Sequence, residues 1–91
     1  MQTPEETIEL VKKWLNDRDS ICREELRRAA YAYDAESYYS SDFISLGEIA
    51  AHAVANAVSA LDCESGWAIR AHADNAAYCV KEFETLAQKE G

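Results

Sequence analysis

Ninety-one residues provide one small domain and leave no room for a second, since a chain of this length removes only ~60–65% of its unfolded surface from water. A net charge of −8 argues against unaided attraction to nucleic-acid phosphate, which depends on lysine and arginine displacing condensed counterions. Partners chosen by electrostatics should be basic, and three glycines, one proline and few β-branched residues leave little material for sheet.

Thr3, Pro4 and Glu6 predict the start of a first helix: a capping hydroxyl, a proline at a position that needs no donor, and a carboxylate placed to reach back. Ile8, Val11 and Leu15 form its apolar stripe, widened by Leu10 and Trp14. The polar cluster Asn16-Asp17-Arg18-Asp19-Ser20 interrupts the pattern and is expected to cap a second helix. In that helix Cys22, Leu26, Ala29 and Tyr33 alternate at spacings of four and three and so fall on one side, with Ser40, Ser41 and Asp42 as the expected end.

Ser45, three residues before Glu48, predicts the start of a third helix whose stripe runs through Leu46, Ala50, Ala53, Ala57 and Leu61. Ile49, Ala51, Val54, Ala55 and Val58 occupy its other faces, and a helix apolar nearly all round is expected to be buried. After a turn over Asp62 to Gly66, a fourth helix carries Ile69, Ala73, Ala76, Val80, Phe83 and Ala87 on one side and Arg70, Asp74, Lys81 and Glu84 on the other. The predicted fold is therefore all-α, a single four-helix antiparallel bundle over residues 1–91. Methyl-lined helix sides allow axes to approach closely. Alanine buries little area, so Trp14, Phe43, Trp67, Phe83 and the tyrosines are expected to supply much of the apolar burial.

Cys22, Cys63 and Cys79 are odd in number, widely spaced and without a CxxC or a zinc-finger histidine, so they read as reduced thiols, Cys22 and Cys79 serving as small apolar helix residues. No metal or other cofactor is expected: neither His52 nor His72 has a second donor one turn away. No apolar run approaches the ~20 residues that span a bilayer, and the amphipathic stretches are acidic, so no membrane role is expected. Glu5, Glu6 and Glu9 stand where a secretion signal would be basic and then apolar, which points to a cytoplasmic location.

The stretch between Ala29 and Ile69 has no lysine or arginine and six carboxylates, Asp34, Glu36, Asp42, Glu48, Asp62 and Glu64, with Tyr31, Tyr38, Tyr39 and Phe43 interleaved near its start. The plain account is a solvated acidic face with core tyrosines. The functional account makes Asp34, Glu36, Tyr38, Tyr39, Asp42, Phe43 and Glu48 a partner-binding surface, in which carboxylates imitate phosphate spacing and tyrosines act as stiff amphipathic anchors. His52, Asn56 and Ser59, at i, i+4 and i+7, form a polar line that reads as a hydrogen-bonded seam, with a ligand or partner surface as the alternative. Arg23 and Arg27, with Arg28, are a local basic patch able to meet phosphate.

Trp14-Leu15, the Asp/Asn turn and the run Arg28-Ala29-Ala30-Tyr31-Ala32-Tyr33-Asp34-Ala35 give the chain a recognisable texture. Over roughly residues 14 to 80 it resembles the alanine/tyrosine-rich immunity proteins of bacteria and their phages, whose helices repeat Ala-Ala-Tyr and Ala-Ala-Asp units. In length and charge it is also similar to small anti-CRISPR proteins. The resemblance implies stoichiometric inhibition of a protein target with a basic surface, without catalysis, in a bacterial host cell. The chain is shorter than that family, and Ser40 to Ser45 and Asp62 to Gly66 interrupt its alanine repeats, so no functional residue carries over. Two alternatives stay open: a homo-oligomer that sequesters a small nucleotide signal through Arg23 and Arg27, and a structural or assembly subunit built around the apolar third helix.

Overall fold

The computed structural model describes residues 3–31 and 46–90. Among these the chain is all-α, with four helices: α1 (Pro4–Asn16), α2 (Arg23–Tyr31), α3 (Leu46–Asp62) and α4 (Gly66–Glu90). The Thr3 hydroxyl accepts from the Glu6 amide at 3.1 Å and donates to the Glu6 carboxylate at 3.1 Å, and Pro4 takes the first helical position, as the sequence predicts. Ile8, Val11 and Trp14 are buried while Leu10 and Leu15 pack at the margins, so Trp14 rather than Leu15 continues the buried α1 stripe.

The cluster after α1 closes that helix instead of capping the next. Asp17 donates its amide to the Lys13 carbonyl at 2.9 Å, and the Ser20 hydroxyl lies 3.1 Å from that carbonyl and 2.7 Å from the carbonyl of Asp17. The Asp17 amide and the Ser20 hydroxyl thus satisfy carbonyls in the last turn and just beyond it. Ile21 then drops into the core at 9% exposure, and α2 begins beyond it, with the Cys22 carbonyl accepting from Glu25 and Leu26 at 3.1 and 3.4 Å. Cys22 itself is exposed, a correction to its expected place on the buried side, whereas Leu26 and Ala29 of that stripe are fully buried.

α3 is the centre of the bundle, in contact with each of the other three helices. Ile49, Ala50, Ala51, Ala53, Val54, Ala55, Ala57 and Ala60 are buried, which explains why its sequence lacks a broad polar face. A short turn leads into α4, which returns antiparallel along α3: Ile49 lies beside Glu82 and Leu86, whereas Asn56 meets His72. Ala73, Ala76, Val80 and Phe83 face inward and Arg70, Asp74, Lys81 and Glu84 outward, matching the predicted division. Trp67 and Tyr78 depart from expectation, being 77% and 62% exposed, so among the residues whose burial is described the aromatic burial falls on Trp14 and Phe83. The expected end of the second helix at Ser40, Ser41 and Asp42, the Ser45 cap and Phe43 lie outside the described residues.

Candidate functional site

Of the predicted partner-binding set, Asp34, Glu36, Tyr38, Tyr39, Asp42 and Phe43 lie outside the described residues. Glu48 sits half-buried in the first turn of α3, where the helix dipole favours a carboxylate. Arg23 and Arg27 reach from α2 to the far end of α3. Arg23 donates to the Leu61 carbonyl at 2.9 Å and Arg27 to the Asp62 carboxylate at 2.7 Å. Arg23 thus meets an open carbonyl at the negative end of the α3 dipole and Arg27 the carboxylate beside it, contacts that dock α2 on α3. The Arg27–Asp62 pair is largely solvated and contributes modestly.

The polar line of α3 pairs across the α3/α4 interface. Asn56 donates its amide nitrogen to the His52 carbonyl at 2.9 Å, which turns its oxygen toward His72 Nδ1 at 3.1 Å. With that amide orientation Nδ1 is the donor of the pair. Ser59 is half-buried further along the same helix. Asn56→Ala should cost about 1–2 kcal/mol in urea denaturation, because it leaves His72 without its acceptor. A double-mutant cycle with His72→Ala should show coupling of at least ~0.5 kcal/mol. Additive losses would show that the two side chains do not interact.

All three cysteines are free. Burial pushes the Cys79 thiol up, with the nearby Glu82 carboxylate adding to it, so at neutral pH it stays protonated. Among the described residues no group of three or more histidine, cysteine and carboxylate side chains is arranged to hold a metal. No described helix is long and apolar enough to cross a membrane.

The feature that sequence reading missed lies on the outer side of α4. Trp67 and Tyr78 are exposed at 77% and 62%. They stand eleven positions apart, almost on one line of the helix and about 16 Å along it. Asp74, also exposed, lies between them, and Ala71 leaves space beside Trp67. The Tyr78 hydroxyl is hydrogen-bonded to the Glu82 carboxylate, which, together with that carboxylate's charge, holds the phenol above its usual range. The signal was available: both aromatics fall off the spacing that joins Ile69, Ala73, Ala76, Val80 and Phe83, and line up with Asp74 and Glu82. Comparisons of the chain with protein-family models, with curated proteins and with solved structures find no match.

Proposed function

We propose that this chain is a non-catalytic binding protein that inhibits a basic protein partner by occupying it, an antagonist of the immunity or phage anti-defence kind acting in a bacterial cytoplasm. The observation that carries this reading is the exposed Trp67–Tyr78 line on α4. Large aromatics on a monomer's surface keep an apolar area in water that association would remove, and Trp and Tyr are the residues that most often dominate binding energy. They stand on a helix whose opposite side is packed against α3, so little order is lost when a partner closes over them. The net charge of −8 steers a cationic surface toward them. Inhibition then needs no bond to be made or broken: a partner that uses a basic groove for nucleic acid loses the groove to carboxylates.

The test is parallel capture from lysate of the native host on immobilised wild-type protein and on the Trp67→Ala/Tyr78→Ala variant, at physiological and at high salt. One protein should be enriched by the wild type and depleted on the variant, each truncation removing on the order of 2 kcal/mol. Salt should weaken its retention. Both side chains are exposed, so the variant should keep its helical circular dichroism. A protein retained equally by both, or none retained by the wild type, overturns the proposal.

A further inference from the structure

On another side of the molecule α1 and α4 leave a cleft of about 240 Å³ between them. Its apolar lining comes from Ile8 and Phe83, which belong to the core, and from the half-buried Ala87. Glu5, Glu9 and Glu84 surround that lining with carboxylates, and the one cation among the lining residues is Lys12. Lys12 shows what the cleft accommodates: its ammonium lies 3.6 Å from Glu9 and 3.6 Å from Glu84, spanning the two helices. Glu5 makes no ion pair among the described residues.

We infer that this cleft is a second docking site, which takes a lysine or arginine side chain of a protein partner, its methylene stem on Ile8, Phe83 and Ala87 and its cationic head between Glu5 and Glu9. A long basic side chain combines an apolar stem with a charged end, and the cleft offers apolar contact and negative charge in the same order. Phosphate-bearing ligands are repelled by three carboxylates against one ammonium. The inference rests on the reading that the chain acts by binding a basic protein. It uses a different surface, since Phe83 and Ala87 lie on the inward stripe of α4 and Trp67 and Tyr78 on its outward line.

The probe is a short amphipathic peptide of leucine and arginine, with glutamate replacing arginine in the control, followed by fluorescence anisotropy and by amide NMR shifts on the full chain. The arginine peptide should bind, the control should not, and the shifts should centre on Ile8, Glu9, Glu84 and Ala87. Glu5→Gln/Glu9→Gln should weaken binding about tenfold, equivalent to ~1.4 kcal/mol. Ala87→Phe, which fills the cleft without changing charge, should weaken it by a similar factor. Glu24→Gln/Glu25→Gln alters net charge equally on exposed positions of α2 and should have little effect. Equal losses from the two glutamate pairs would reduce the binding to general attraction and overturn the inference. Shifts centred on Trp67 and Tyr78 would overturn it while leaving the α4 reading in place. A dimer abolished by Ala87→Phe would put a second copy in the cleft and overturn the assignment of a foreign partner.

Discussion

Trp14→Ala should destabilise the protein by about 3–5 kcal/mol, a large share of the 5–15 kcal/mol that holds a typical small domain together. Trp14 is the largest of the fully buried side chains, at 1% exposure, and belongs to the α1 stripe that faces the core. Alanines make up much of the core, and their methyl groups cannot extend into the space that an indole leaves. Urea denaturation followed by far-ultraviolet circular dichroism should show a sharply lower midpoint. Trp14→Phe should cost only about 1–2 kcal/mol. The indole Nε1 has no hydrogen-bond partner among the described residues, so the change trims volume without orphaning an acceptor, and a ring remains under the Arg18 guanidinium, which lies 4.8 Å from the Trp14 centroid. Equal midpoints for the two variants would show that this side chain is not packed as described.

The second large effect should come from adding atoms. Ala53→Leu should destabilise by at least about 2 kcal/mol, because the residue is fully buried in the most heavily packed of the helices and an isobutyl group must push a neighbour away. Ala77→Leu, on the exposed side of α4, should stay within about 0.5 kcal/mol of wild type. Thermal denaturation of the two variants in parallel separates packing from helix propensity, since leucine and alanine are both strong helix formers. A tolerated Ala53→Leu would mean that the helices around α3 leave a gap.

Local chemistry was readable wherever it was settled by residues close in sequence. The Thr3–Glu6 reciprocal cap, the buried α3 and the inward stripe of α4 each follow from spacings of a few residues. The start of α2 is not legible locally, because Asn16 to Ser20 suit the end of one helix as well as the start of another, and the burial of Ile21, a tertiary effect, decides between them. Trp67 was expected inside on residue type alone, although its register already placed it with Asp74. The partners of Arg23, Arg27 and Asn56 lie 38, 35 and 16 positions away, a relation that no local periodicity encodes.

Where alanines line both α3 and α4, their sides mesh without the deep interdigitation that fixes one large side chain between its neighbours. A slide of one helical turn, about 5.4 Å, would trade alanine for alanine at several positions. It would also pull the Asn56 amide away from the imidazole of His72, and each polar group stranded without a partner or water costs about 1–3 kcal/mol. The Asn56–His72 pair therefore adds a polar penalty against slippage to the one already set by the larger buried side chains Ile49, Val54, Val80 and Phe83.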